Sequence, residues 1–177
     1  GLGANGKSTF LDTILEMFGD YGCQSEPELL IRKRGESHPT GVADLKGARL
    51  VATSEIEAGK RMAESLVKQL TGGDRIKARY MRQNFFEFKP SHTLWLMANH
   101  RLVIRGTDVA IWRRIRLVPF DVTIPPDQQD ATLTDTLHAE MSGILSWAVE
   151  GCLAWQREGL AAPAAVRAAT QRYRAEM

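Results

Sequence analysis

The stretch Gly1-Leu-Gly-Ala-Asn-Gly6-Lys7-Ser8-Thr9 constrains this chain more than any other. It satisfies G-x-x-x-x-G-K-[ST], a glycine-rich turn that opens onto a helix. Glycines let successive backbone N–H groups turn inward and cradle phosphate oxygens, and the positive end of the helix adds to the pull on the anion. In such a loop Lys7 reaches the β- and γ-phosphates and the Ser8 hydroxyl ligates Mg²⁺. The helix is legible on its own terms. Within residues 7–18, Phe10, Leu11, Ile14, Leu15 and Phe18 fall on one stripe, and Gly19 is a reasonable stop. The expected cofactors are therefore ATP and Mg²⁺, in a cradle of Gly1, Gly3, Ala4, Asn5, Gly6, Lys7, Ser8 and Thr9.

A loop of this kind follows a buried strand and works with an acidic residue at the end of a neighbouring one. The chain begins on the first glycine, so the expected first strand before the loop is missing and the sequence reads as a piece of something longer. The acid is supplied by Leu50-Val-Ala-Thr-Ser-Glu55-Ile-Glu57, an apolar run ending in two carboxylates two residues apart. Glu55 is assigned to the Mg²⁺ and water site, and Glu57 to a supporting or catalytic-base role. A second apolar run, Trp95-Leu-Met-Ala-Asn99, ends in an amide that can donate to the γ-phosphate or position water. Arg113 or its neighbour Arg114, in the run Ile111-Trp-Arg-Arg-Ile-Arg116, can cancel charge developing on the phosphates.

The remaining pattern predicts a buried strand at 48–54, an amphipathic helix at 60–70 with Met62, Leu66 and Leu70 inward, and a hairpin from about 75–80 and 84–89. It adds strands at 93–98 and 113–119. Residues 24–46 read as irregular. From Thr132 the spacing of Leu133, Leu137, Met141, Leu145 and Ala148 predicts one long core-facing helix, followed by a short one at 164–175. This order is that of an α/β nucleotide-binding core, 1–122, with a helical C-terminal tail, 123–177. At 177 residues the chain suits one domain with an ordinary core. Cys23 and Cys152 are too few for a disulfide framework, the four histidines lack zinc-ligand spacing, and no apolar run reaches membrane-spanning length. The net charge is only +2, yet residues 74–121 hold ten Lys or Arg against four Asp or Glu, which points to a local anionic partner.

Taken in order, GLGANGKST, LVATSEIEAGKR, LVKQLTGGDRIKARYMRQNFFEFKP, LWLMANH and IWRRIRLVPF resemble the superfamily 3 helicases. They are most similar to the helicase domain of phage and plasmid primase–helicases, relatives of the poxvirus primase–helicase. The likeness runs motif by motif over residues 1 to about 120. It implies a P-loop NTPase with an AAA+-like core: a mostly parallel sheet flanked by helices, with an inserted β-hairpin. It further implies a homo-oligomeric, hexameric ring that translocates on single-stranded DNA, an upstream primase domain, and a cytoplasmic setting in a bacterial host, encoded by a phage, plasmid or prophage. On this resemblance Walker A falls on Gly6, Lys7 and Ser8, Walker B on Glu55 with Glu57 beside it, and sensor 1 on Asn99. The arginine finger falls on Arg113 or Arg114, reaching a neighbour's ATP. Lys68 falls where a further basic residue faces a bound nucleotide.

The same resemblance puts a channel hairpin at Arg75-Ile-Lys77-Ala-Arg79-Tyr80-Met-Arg82. There Lys77, Arg79 and Arg82 can grip phosphates and Tyr80 can stack on a base, while Phe85, Phe86 and Phe88 are expected in the core. Two rival readings are an inactive prophage remnant serving as a DNA-binding or oligomerisation scaffold, and a P-loop kinase. A kinase needs an acceptor pocket and lid rather than a basic hairpin.

Overall fold

The structure, a computed structural model, describes residues 3–32, 40–53, 58–106 and 108–177. Helix α1 (Lys7–Phe18) leaves the glycine-rich loop, and a 3₁₀ turn leads into strand β1 (Gly22–Ser25). Helix α2 (Thr40–Ala43), strand β2 (Leu50–Thr53) and helix α3 (Glu64–Leu70) follow. Strands β3 (Ile76–Ala78) and β4 (Phe86–Phe88) form an antiparallel hairpin. Strand β5 (Thr93–Leu96) precedes the one-turn helix α4 (Val109–Trp112) and the tail helices α5 (Leu133–Ala139), α6 (Met141–Glu158) and α7 (Ala164–Ala175).

The main sheet has the order β1-β2-β5, parallel throughout, with Gly22 opposite Leu50 and Leu50 opposite Thr93. The central strand β2 is buried along its whole length, as a strand covered on both faces must be. Its four residues are therefore a continuous run, with the Thr53 hydroxyl donating to the Trp95 carbonyl. Strand β1 carries Gly, Cys, Gln and Ser, without the β-branched or aromatic signal that marks a strand, and its second half falls in the stretch 24–46 that reads as irregular. Its first residue is glycine for a local reason. A Cβ on Gly22 would lie 2.9 Å from the Leu15 carbonyl oxygen of α1, so the helix packs this closely only over a bare backbone.

Two expectations need correction. Residues 113–119 do not form a strand. They keep a two-residue alternation, with Ile115 and Leu117 half-buried and Arg116 and Val118 exposed, but join no ladder. Their polar groups are claimed elsewhere. The Leu117 N–H donates to Thr170 Oγ1 on α7, and the Phe120 carbonyl accepts from Asn5 Nδ2.

The long helix from Thr132 is two helices, broken at Glu140, and neither buries a residue fully. Leu137, Met141 and Ala148 are half-buried, as is Ile144, whereas Leu133 and Leu145 are exposed. The apolar stripe thus meets α1 along one edge instead of entering the core, and His138 pairs with Glu16 of α1 at 2.7 Å.

The last helix, by contrast, belongs to the core. Ala169 and Tyr173 are buried, Tyr173 packs edge-on against Trp112 at 5.3 Å, and its hydroxyl donates to the Leu102 carbonyl. Burial pushes the Tyr173 phenol up to about 12, with Arg101 acting weakly in the other direction. Among the described residues no helix is long and apolar enough to cross a membrane.

Candidate nucleotide site and basic hairpin

The glycine-rich loop is built by torsions that few residues adopt. Gly3, Ala4 and Gly6 have φ of 93°, 45° and 77°. Gly6 is left-handed while Asn5 before it is not, a change of hand of the kind that turns neighbouring N–H groups toward an anion in a nest. Helix α1 then starts from Gly6 with no side-chain cap and no acidic residue in its first turn. Its first N–H groups are therefore left for a ligand, and its positive end is not neutralised. Among the described residues, no heavy atom outside the chain neighbours lies within 4 Å of a Cβ built on Gly3 or Gly6, so there is open space beside both glycines. Lys7 Nζ donates to Asn5 Oδ1 at 3.0 Å, while Asn5 Nδ2 donates to the Phe120 carbonyl at 3.0 Å. Asn5 thus ties the lysine and the loop to the segment after α4. Phe10 packs on both Trp95 and Phe120, at 5.8 and 6.1 Å, and anchors the helix behind the loop.

The loop faces the end of β5. The Met97 N–H donates to the Thr53 carbonyl at 2.8 Å, which carries the parallel pairing one step past the strand. Met97, Ala98 and Asn99 then line one wall of a cavity of about 200 Å³ whose other wall is Gly3 to Thr9. Asn99, 92 residues from Lys7, is thereby brought to the phosphate loop at the carboxyl end of a parallel sheet, where ligands of open α/β sheets bind. The donors present fit a phosphate chain: a nest, an uncapped helix end, Lys7, and the hydroxyls of Ser8 and Thr9. Gly1, Glu55 and Glu57 lie outside the described residues.

The structure separates the two arginines. Arg114 is half-buried, its Nε donating to Thr71 Oγ1 at 3.0 Å and its Nη1 to the Ala110 carbonyl. Arg113 is exposed, and its side chain has no hydrogen bond or ion pair among the described residues. Arg116 is exposed. It folds back onto the carbonyls of Arg113 and Ile115. Lys68 pairs with Asp108, whose other oxygen caps α4 by accepting from the Ile111 N–H at 2.9 Å. The Lys68 hydrogen bond, then the Ile111 N–H, hold the Asp108 carboxyl below the usual range. None of Lys68, Arg113 and Arg114 lines the phosphate-loop cavity of its own chain.

The hairpin has two faces. Ile76, Ala78 and Phe88 are buried in the core cluster, with Tyr80 and Phe86 packed against it. The Tyr80 ring stacks on Phe86 at 5.3 Å and its hydroxyl donates to the Ala43 carbonyl, so its ring is engaged within the protein. Lys77 and Arg79 alternate onto the exposed face, and Arg82 sits at the tip with φ of 59°. Phe85 departs from the expected core placement, being half exposed beside Lys77 and Arg79. With Phe86 and Phe88 turned inward, strand alternation turns Phe85 outward together with Glu87, and the pairing of Ala78 with Phe86 fixes that register.

Fold and site together define a mixed α/β protein with a parallel sheet, a glycine-rich loop that opens onto a helix at the sheet's carboxyl end, and a two-faced hairpin. The chain belongs to the family described as "Family of unknown function (DUF5906)", whose sequence pattern matches residues 1–114. It is 34% identical over 122 residues to "Putative helicase L207/L206" of Acanthamoeba polyphaga mimivirus, a match that covers 68% of this chain and 13% of the relative. It is 26% identical over 119 residues to a "Putative primase" of African swine fever virus, covering 66% of this chain and 12% of that one. The chain therefore spans about an eighth of each of these relatives. Both are viral proteins, and neither carries the phage or plasmid origin that the sequence resemblance implied. Among solved structures, the apo NrS-1 C terminal region (305-718) has the same fold, with a TM-score of 0.60 over 81% of this chain and 34% of that one, at 14% identity.

Proposed function

We propose that this chain is the ATP-hydrolysing motor segment of a primase–helicase of the superfamily 3 type, with an AAA+-like core at 1–122 and a helical tail at 123–177. On this reading it works as a homo-oligomeric ring, a hexamer, on single-stranded DNA, with a primase domain elsewhere in the full-length protein. The observation that carries the reading is the meeting of Asn99 with the phosphate loop across one cavity. Helicase and primase names among the relatives support it at the level of the family.

The chain's own residues divide the work. The nest at Gly3–Gly6 and the uncapped end of α1 bind the phosphates and fix their position. Lys7 exchanges its bond to Asn5 Oδ1 for phosphate oxygens, so it is already held pointing near its task. Asn99 orients water or donates to the terminal phosphate. Ser8 and Glu55 would hold Mg²⁺, with Glu57 supporting or acting as base. A bound Mg·ATP supplies the phosphoanhydride bond whose hydrolysis powers movement. Arg113, exposed and with no side-chain partner among the described residues, is the better placed of the two arginines to reach a neighbouring subunit. The hairpin grips the strand by its backbone, which suits a motor that must accept any sequence.

The test is ATP hydrolysis by the full-length protein with and without single-stranded DNA, with Lys7→Ala beside it. DNA-stimulated turnover that disappears in Lys7→Ala is expected. No turnover in a folded, oligomeric sample would reject the motor and leave a scaffold.

A further inference from the structure

The hairpin's exposed face carries one aromatic ring, and it is not Tyr80. Phe85 is 50% exposed, with Lys77 Nζ 5.0 Å and Arg79 Cζ 4.8 Å from its ring centroid. The other aromatics of the hairpin face inward, because Tyr80 stacks on Phe86 and Phe88 is buried in the core cluster. Neither Lys77 nor Arg79 has an ion pair or hydrogen bond among the described residues. The acid opposite Lys77, Glu87, approaches Arg75 instead, at 4.0 Å. Two unpaired cations and a half-exposed ring thus share a few ångströms of surface.

We propose that Phe85 is the residue on which a base of single-stranded DNA stacks, with Lys77 and Arg79 taking the phosphates on either side. This rests on the reading of the hairpin as the DNA contact and names the group that grips a base. The present contacts fit a resting state. A solvent-exposed cation–ring contact is weak, and a phosphate is the stronger partner for either cation. When phosphates draw Lys77 and Arg79 off the ring, its face is released to a base. Every base has such a face, so the grip is indifferent to sequence. The tip favours the same geometry. The turn closed by the Gln83 N–H on the Tyr80 carbonyl holds Arg82 in a left-handed conformation and sets Phe85 back beside Lys77 and Arg79.

The experiment compares binding of the full-length protein to an oligothymidine and to an abasic strand of the same length and charge, across a salt series. The wild type should prefer the thymidine strand by about five- to a hundredfold, the range of one stacked base. Phe85→Leu should lose that preference and keep the salt dependence, since its phosphate contacts remain. Phe85→Trp should restore it. Lys77→Ala should weaken both strands alike and lower the salt slope by about one. An unchanged preference in Phe85→Leu overturns the proposal. So does a wild type that binds both strands equally but responds to Lys77→Ala, and in that case the hairpin stands as a phosphate grip. A wild type that binds neither strand removes the hairpin reading and the proposal with it. Thermal melting of each variant checks that the fold is intact, as expected for a half-exposed position.

Discussion

Replacing Arg113 and Arg114 by alanine, one at a time, should separate a role between subunits from a role within one. Arg114 makes two hydrogen bonds in its own chain, to Thr71 Oγ1 and the Ala110 carbonyl, the second of them partly buried. A hydrogen bond from a charged donor contributes about 1.5–3 kcal/mol at most, and partial exposure reduces that. Arg114→Ala should therefore destabilise the fold by about 1–2 kcal/mol. At roughly 2–4 °C per kcal/mol for a domain of this size, the melting temperature should fall by about 2–8 °C. Arg113 makes no such bond, and Arg113→Ala should stay within about 0.5 kcal/mol of the wild type. Turnover should behave the other way round. Loss of an arginine finger costs about 10³-fold or more, so Arg113→Ala should be folded and nearly inactive, whereas Arg114→Ala should keep activity below its own melting point. Mixing Arg113→Ala with Lys7→Ala should restore part of the ATPase, because a mixed interface pairs an intact phosphate loop with an intact arginine. Full activity in Arg113→Ala, or no recovery at any mixing ratio, would refute the assignment.

Two further outcomes follow from strain and from burial. Arg82 holds a left-handed conformation that costs a side-chain-bearing residue about 1 kcal/mol. Arg82→Gly should raise the melting temperature by about 2–4 °C while weakening binding of single-stranded DNA and lowering its salt slope by about one; a lower melting temperature would contradict the strain. His92 has both ring nitrogens buried without a hydrogen-bond partner among the described residues, and burial pushes its pKa below the ordinary 6.5. Above about 6.5 the ring is neutral in both folded and unfolded chains. As pH falls below that, the unfolded chain takes up the proton first, so stability should decline until the folded ring also protonates. Urea midpoints at pH 7.5 and 5.5 should therefore differ more in the wild type than in His92→Leu, and equal differences would exclude His92 as the cause.

How much of this was legible beforehand depended on the range of the signal. The glycine-rich loop and α1 were readable because their causes are local: left-handed turns that glycine favours, a helix start without a cap, and a stripe of 3.6-residue period. The buried run of β2 and the two extended arms of the hairpin were readable for the same reason, since a run of apolar or strand-forming residues is a property of neighbours, although Phe85 was expected in the core and stands outside it. The approach of Asn99 to the phosphate loop was an inference from motif order, and the cavity between them is a fact of sheet packing. The alternation at 113–119 was read as a strand because alternation records only which side chains face inward. Whether the backbone joins a ladder depends on distant groups, here Thr170, which takes the Leu117 N–H, and Asn5, which takes the Phe120 carbonyl just past the segment.

The hairpin and the arginine pair draw the same line. The sequence by itself determined that a basic hairpin stands between two strands, of which the structure buries only the first along its whole length, and that two arginines follow the second of them. It also determined where the helix after the glycine-rich loop begins. Only the tertiary structure decided that Tyr80 stacks inward while Phe85 stands out between two cations, and that Arg114 is tied down while Arg113 has no side-chain partner among the described residues. A torsion preference or a hydrophobic period is set by bonded neighbours. A side chain's partner is set by whichever groups the packed chain brings within a few ångströms, and the residues on either side do not specify that.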